Sequence, residues 1–398
     1  MLILIILFLF QQILFAQERV ILSNLIIEAK IKNPDIVAMK NMFFAAKENV
    51  KITGFWDYPS FGVEYWFSKE NNWMFSISQM IPSPGKISSR VKIAKSEADI
   101  AGELLSLKTI FVISEVKKAF YMYYLSWKKI EIIKENIDLM KQFVLNSEAL
   151  YITGKVPKTD VLKANTEIVR MENMLLMYEA EKKSAVAMLN ALLGNTNEIQ
   201  FGTPEELDEH NLKSYDVHDF NINEFPDVKI KEYSVKKSSY DLTLSKLGWF
   251  PDFMVGSKFD TMGQVSIMVS ASLPIYIFKQ KAEINKMKYE KEAKEQEFID
   301  TRNMLKAKLN DLILNYNIRI DYVKNYKNTI IPLSEQTLKL SETGYKVGKN
   351  SFIDLLDSVN RYLNDKIEYY NAFAEAKIIE TEIEKISGIG VFSGGMKK

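Results

Sequence analysis

The chain has 398 residues, of which 47% are hydrophobic, which is enough for the cores of two or three domains and too many for a disordered protein. Its 52 Lys and Arg residues balance 51 Asp and Glu residues, so no overall basic charge favours nucleic acid as a partner. It contains no cysteine, which excludes disulfides, a lipid-carrying cysteine and thiolate chemistry.

The N-terminus predicts export. An unbroken apolar run from Leu2 to Phe10 is followed, after two glutamines, by Leu14-Phe15-Ala16. The run is too short to span a bilayer comfortably, and Ala16 suits signal peptidase, so residues 1–16 are predicted to be a signal peptide. No Lys or Arg precedes the run, which leaves a retained N-terminal anchor as the alternative. No later segment has about 18 consecutive apolar residues, so the mature protein is expected to be periplasmic, secreted or a membrane barrel.

The chain is internally duplicated. Three prolines recur at one interval of 192 residues, and a second set of residues recurs at an interval of 194. We therefore predict a first repeat at 17–201, a polar linker at 202–224, a second repeat at 225–390 and a tail at 391–398. Such a duplication is compatible with folding alone and with a pseudo-symmetric, ring-forming subunit. The matched residues are Pro34, Pro59 and Pro82 with Pro226, Pro251 and Pro274, then Tyr151, Gly154, Lys155, Asp160 and Gly194 with Tyr345, Gly348, Lys349, Asp354 and Gly388.

The linker carries both histidines of the chain, His210 and His218, among several acidic residues. A metal site is conceivable there, but the histidines lack the close helical spacing of metal ligands and there is no cysteine partner. The sequence therefore predicts solvated linker residues and no metal site.

Each repeat is predicted to contain the same elements. The first has a helix from Ser23 to about Thr53, a β-hairpin at 59–82, a long helix at 86–150 and a return helix at 157–193. In the second, another helix precedes a β-hairpin at 251–277, a long helix at 279–342 that Pro332 breaks or kinks, and a return helix at 351–387. The first long helix would measure roughly 95 Å, far beyond a compact domain.

The strand candidates alternate between apolar and polar residues over about ten positions, as in Phe61 to Phe67 and Val265 to Leu273. A half-buried soluble sheet gives the same pattern, but hairpins of this length in an exported chain favour outer-membrane strands. Closed membrane barrels start at about eight strands, so four strands per chain require two, three or four copies.

The first long helix carries two apolar seams, one with a heptad repeat and one on a second face. Two seams imply two neighbours, either in the wall of a tube or inside an ordinary bundle. The first seam includes Val112, Ala119, Ile133 and Met140, with Val116, Ile137 and Val144 beside it, and the second face includes Ile93, Ile100, Leu104, Leu107 and Phe111.

Residues throughout the mature chain resemble the TolC-like outer membrane efflux protein family. They are the segment Ala29 to Pro34, the run from Ser78 to Lys86, Tyr151 to Lys155 leading into Asp160 to Ala164, and Leu189 to Gly194. The run Gln79 to Lys86 is most similar to the branch that serves heavy-metal and cation efflux.

The resemblance implies a mainly α fold with a small β part, in which long helical hairpins form an α-barrel tunnel and three chains close a 12-strand barrel. It places the trimer in the outer membrane, extending into the periplasm, as a passive conduit without cofactors. It further implies that the hairpin tips dock to a periplasmic adaptor protein, which links the channel to an inner-membrane transporter. The tip residues are Gly154, Lys155, Val156, Gly348 and Lys349.

The family also closes its tunnel at the periplasmic end with acidic rings. Asp354 and Asp357 match that segment, lie one helical turn apart, and would bring six carboxylates together in three chains. Such a ring favours cations. Tyr345 and Asp160 match a hydrogen-bonded pair that latches the closed state, whereas Asn350 stands where the family has a latch arginine. Asp160 equally suits a structural role at a helix N-terminus.

A second function class fits the same sequence features. A soluble periplasmic coiled-coil scaffold would use the same helices for protein interaction and would need no membrane. An enzyme is disfavoured, because no nucleophile elbow, zinc-protease motif, phosphate loop or dinucleotide fingerprint occurs.

Overall fold

The structure is a computed structural model that describes residues 19–67, 72–208 and 212–388. The predicted signal peptide and tail, His210, and most of the turn between the first two strands lie outside these residues. The predicted fold class, mainly α with a small β part, is confirmed. Among the described helices, none is both long enough and apolar enough to cross a membrane.

The first repeat begins with two helices, where the sequence predicted one from Ser23 to Thr53. Asn33 separates α1 from α2: its Oδ1 accepts hydrogen bonds from the backbone N–H groups of Asp35 and Ile36 at 3.0 and 3.3 Å. Pro34 has no N–H to continue the first helix and suits the first turn of the second. The elements are α1 (Leu22–Lys32), α2 (Pro34–Ile52), β1 (Ser60–Trp66), β2 (Asn72–Ile81), α3 (Lys86–Ile152) and α4 (Lys158–Leu193).

The second repeat has the same order of elements, and its long helix is interrupted near Pro332. A single π-helical turn, Tyr326–Ile330, precedes α7, and Pro332 lies in the first turn of α7. The wide turn accommodates a residue that cannot donate a backbone hydrogen bond. The elements are α5 (Pro226–Leu247), β3 (Asp252–Asp260), β4 (Val265–Ser272), α6 (Ile277–Asn325), α7 (Ile331–Lys346) and α8 (Phe352–Ser387).

The chain forms two compact units that cut across the two repeats. Of the described residues, one unit holds those up to Ile36, those within Thr109–Phe220 and those from Ala307 onwards; the other holds those within Val37–Lys108 and Asn221–Lys306. Each unit therefore contains corresponding segments of both repeats.

In the first unit, the two helical hairpins, α3 with α4 and α7 with α8, share one core. The heptad seam of α3 is buried there, with Ile133 and Met140 fully covered, and it packs with Met171 of α4 and Val359 of α8. The second apolar face of α3 behaves differently, since Phe111 remains 41% exposed.

In the second unit, the two β-hairpins join into one antiparallel sheet in the order β1-β2-β3-β4. The central pairing, β2 with β3, links the two repeats. One row across the sheet consists of Val63, Phe75, Phe259 and Val265, and the rings of Phe75 and Phe259 stack with their centroids 5.6 Å apart.

Candidate functional site

The two hairpin tips have the same backbone geometry. Gly154 and Gly348 adopt left-handed conformations with φ of 72° and 75°. In each tip the next residue closes the preceding helix: the N–H of Lys155 donates to Leu150 O at 2.9 Å, and that of Lys349 donates to Gly344 O at 2.8 Å. This is the glycine-dependent helix ending that the sequence indicated.

The tips present apolar and cationic side chains to solvent. Ile152 and Val347 are 83% and 64% exposed, and Lys155 and Lys349 are exposed beside them. Val156 is different, because it packs against the shared core of the hairpins. Another protein can therefore reach Ile152, Lys155, Val347 and Lys349, whereas Val156 holds the first tip in place.

Asp354 stabilises the start of α8. Ser351 and Asp354 form a capping box, in which Ser351 Oγ accepts from the Asp354 N–H at 3.2 Å and Asp354 Oδ2 accepts from the Ser351 N–H at 3.1 Å. The carboxylate is nevertheless exposed. It therefore keeps its charge available to solvent while it caps the helix.

Asp357 lies on the same helix and is 59% exposed at its side chain. Its Oδ2 accepts a hydrogen bond from Arg361 Nε at 2.8 Å, four residues further along α8. Sequence reasoning missed Arg361, although the spacing of four between an acid and a base was the signal. The two acids thus differ, since only Asp357 carries a neighbouring positive charge among these contacts.

Tyr345 connects the two hairpins. Its hydroxyl lies 3.0 Å from Ser147 Oγ, and its ring meets the Phe352 ring edge-on with the centroids 5.6 Å apart. Burial raises the pKa of the Tyr345 phenol; the Ser147 hydrogen bond acts in the opposite direction and the charge of Asp160 in the same direction. The hydroxyl therefore bonds to Ser147, where the resemblance implied a bond to Asp160.

Asp160 and Asn350 have local contacts. Asp160 lies in the first turn of α4, and its N–H donates to Pro157 O at 3.1 Å. The N–H of Asn350 donates to Gly344 O at 3.2 Å, and its side chain lies where a Cβ at position 344 would be only 2.5 Å from Asn350 Nδ2. Asn350 thus closes the end of α7, a role that needs no arginine.

Of the two linker histidines, only His218 lies within the described residues. No group of three or more His, Asp or Glu residues that could hold a metal ion occurs in the described part of the chain. The N–H of His218 donates to Asp216 Oδ1 at 2.8 Å at the start of a short helical turn.

The sheet has one mainly apolar face and one face on which polar residues predominate. On the apolar face, side chains are open to solvent in the single chain, with Ile267 80% and Val265 73% exposed. The opposite face carries glycine, serine and charged residues, including a Lys258 Nζ to Glu64 Oε1 ion pair of 3.0 Å, together with Met74, Met80, Met254 and Met268. A soluble sheet would bury its apolar face, whereas a membrane strand turns that face to lipid.

The chain is similar to several known proteins. The family model for outer membrane efflux proteins matches residues 25–195. The cobalt-zinc-cadmium resistance protein CzcC of Cupriavidus metallidurans is 20% identical over 309 residues, which cover 76% of this chain and 74% of that protein. The solved structure of CusC has a TM-score of 0.81 at 14% identity and covers 91% of each chain. VceC from Vibrio cholerae has a TM-score of 0.78 at 14% identity, covering 92% of this chain and 96% of that one.

The structural matches span both repeats, and they agree with the sheet and the paired hairpins described above. The family match covers the first repeat, whose elements the second repeat has again in the same order. The chain is therefore similar to the outer membrane efflux proteins over residues 25–195, and it shares the fold of the solved channels over about nine tenths of its length.

Proposed function

We propose that this protein is the outer-membrane channel subunit of a tripartite efflux or type I secretion system, a passive conduit across the periplasm and the outer membrane. One observation carries the proposal: the antiparallel sheet exposes a face that is mainly apolar in all four strands, whereas its serine, glycine and charged residues are concentrated on the opposite face. Lipid covers such an apolar face, and a water-filled lumen suits the polar one.

Four strands do not close a barrel, so the chain must act as an oligomer. Three copies supply twelve strands, above the minimum of about eight for a closed membrane barrel. On the second face of α3, Leu104 and Phe111 are exposed in the single chain and provide further apolar surface for a neighbouring chain. We assign the homotrimer on these grounds and on the similarity to outer membrane efflux proteins.

The hairpin tips are the proposed docking sites for a periplasmic adaptor protein, which would link the channel to an inner-membrane transporter. Their exposed Ile152, Val347, Lys155 and Lys349 offer an apolar centre with a cationic rim. The name of the relative CzcC points to divalent metal cations as the cargo. The exposed carboxylates of Asp354 and Asp357 suit such a cargo.

The closed state is proposed to depend on the contact between Tyr345 and Ser147. Ser147 belongs to the first hairpin and Tyr345 to the second, so separating the hairpins breaks this buried hydrogen bond. Asp160 contributes its negative charge nearby, and Asn350 fixes the end of α7. Asp354 and Asp357 are proposed to form the acidic constriction.

Channel conductance tests the proposal. Detergent-extracted oligomer is added to a planar lipid bilayer, and discrete conductance steps are expected. A well-folded oligomer that gives no steps contradicts the channel. The competing function is a soluble periplasmic coiled-coil scaffold, and recovery of the folded protein in the soluble envelope fraction without detergent would favour it.

A further inference from the structure

The first connection from strand to long helix packs against the second repeat. We call Pro82–Lys86 the first crossover and Leu247–Asp252 the second junction. Lys86 Nζ pairs with Asp252 Oδ1 at 2.8 Å and donates to Phe250 O at 3.1 Å. A Cβ at Gly85 would lie 3.3 Å from Leu247 Cδ1. The crossover is buried here, with Ser83 only 2% exposed.

The same two features exist a second time, and their large apolar side chains are exposed in the single chain. The interval of 192 residues that relates the prolines maps the first crossover onto Pro274–Phe278, the second crossover. The same interval relates the second junction to Phe55–Ser60, which we call the first junction. Phe278, at the position of Lys86, is 88% exposed, and Phe55, at the position of Leu247, is 75% exposed.

The chemistry of the second pair has changed in a matched way. Lys86 and Asp252 correspond to Phe278 and Ser60, so the charge is absent from both sides. Gly85 and Leu247 correspond to Ile277 and Phe55, which are both apolar. Isolated exposed aromatic residues are ordinary, but two complementary apolar segments at symmetry-related positions indicate an interface.

We propose that the second crossover of one copy packs into the first junction of the next copy, in the geometry that the first crossover and second junction have within the chain. Ile275 then lies against Pro59, Ile277 against Phe55, and Phe278 against Tyr58 and Ser60. The contact joins two different surfaces, so it forms a ring when the rotation closes. The assignment of this ring to a trimeric barrel rests on the proposed function.

Cysteine cross-linking tests the contact cleanly, because the chain has no cysteine of its own. The double variant Pro59→Cys with Ile275→Cys is treated in detergent with a short bismaleimide. Covalent products of two and three chains, with three the largest, are expected on a denaturing gel. The single variants give single chains only.

The matched control is the intrachain pair. Ser83 Oγ donates to Pro251 O, so Ser83→Cys with Pro251→Cys places two thiols at the corresponding positions of the same chain. This pair is expected to consume its thiols without forming products larger than one chain. The proposal is overturned if the control pair reacts while Pro59→Cys with Ile275→Cys leaves both thiols free.

The proposal is also overturned if the second crossover contacts lipid and not a neighbouring chain. A maleimide-carrying phospholipid in liposomes would then label Phe278→Cys in the assembled protein. Channel conductance of the unmodified protein is measured in parallel. Conductance without cross-linking overturns the contact between copies but supports the channel function. Cross-linking without conductance supports the contact but contradicts the channel function.

A charge transplant distinguishes a specific contact from general stickiness. Phe278→Lys places a lysine against apolar residues and is expected to weaken the oligomer on a native gel. Adding Ser60→Asp rebuilds, between two copies, the pair that Lys86 and Asp252 form within one copy. Recovery of the oligomer in the double variant supports the geometry, and a double variant as weak as Phe278→Lys alone contradicts it.

Discussion

The hydroxyl groups of Tyr345 and Ser147 lie 3.0 Å apart in a buried contact that joins the two helical hairpins of the chain. Ser147 is completely covered, so its hydroxyl has no access to water. The family resemblance implied a hydrogen bond between Tyr345 and Asp160, and Ser147 takes the place of Asp160 as the partner. The contact between the hairpins is thus kept with a different, uncharged partner.

Replacing Tyr345 by phenylalanine is expected to destabilise the pair of hairpins by about 1 to 2 kcal/mol, because it leaves the buried Ser147 hydroxyl without its partner. Thermal unfolding measures the loss, and single-channel recording should show longer open times. Tyr151→Phe is the control, since Tyr151 is 45% exposed near the first tip. An unchanged open time in Tyr345→Phe would contradict the latch. A large change in the open time of Asp160→Asn would instead favour Asp160 as the partner of Tyr345, as the family resemblance implies.

Removing the acidic charges at the start of α8 is expected to reduce cation preference. Asp354→Asn and Asp357→Asn each take away one carboxylate per chain, three in a trimer, and the reversal potential in a salt gradient should shift toward zero. Asp138→Asn is the control, because Asp138 is an exposed acid on α3. Equal reversal potentials in all variants would reject the acidic constriction and leave the channel itself intact.

Replacing Arg361 is expected to change cation preference in the opposite direction. Its guanidinium lies 2.8 Å from Asp357 and offsets part of the negative charge at that position. Arg361→Gln should therefore raise cation preference, while the double variant with Asp357→Asn should lose that gain. A decrease in cation preference in Arg361→Gln would show that Asp357 does not face the ion path.

Much of the fold follows from sequence, since the interval between repeats, the heptad seams and the glycines of the tips depend on local pattern. The division of the first helix at Asn33 also has a local signal, an Asn followed by Pro, but its tertiary anchor does not: the Asn33 amide donates to Leu192 O, 2.8 Å away and 159 residues further on. Similarly, Ser147 has no distinguishing motif, and its role depends on packing against Tyr345. Contacts between distant segments are the part of the site that sequence pattern does not encode.

The two faces of β4 predict opposite responses to the same substitution. Ile267→Lys places a charge on the apolar face and should cost about 2 to 4 kcal/mol if the position lies near the centre of the bilayer. Ser266→Lys places the same charge on the polar face, one residue away. We expect the first variant to lose insertion into liposomes, measured by flotation, and the second to insert. Equal insertion would contradict a membrane role for the apolar face.

Glu297 predicts an acid-dependent contact between α5 and α6. Hydrogen bonds from Lys294 and Lys231, at 2.7 and 2.9 Å, lower the pKa of its carboxyl to about 2. A lowered pKa in the folded state gives stability that is present above the unfolded value of 4.5 and is lost as the pH falls toward about 2. The Glu297 side chain is 41% exposed, so solvent screening limits the stabilisation to below about 1 kcal/mol.

The difference in unfolding temperature between the wild type and Glu297→Gln should therefore be measurable at pH 7 and shrink at pH 2. Glu295→Gln is the control, because Glu295 pairs with Lys291 of its own helix. A pH-independent difference for Glu297→Gln would contradict the ion pairing.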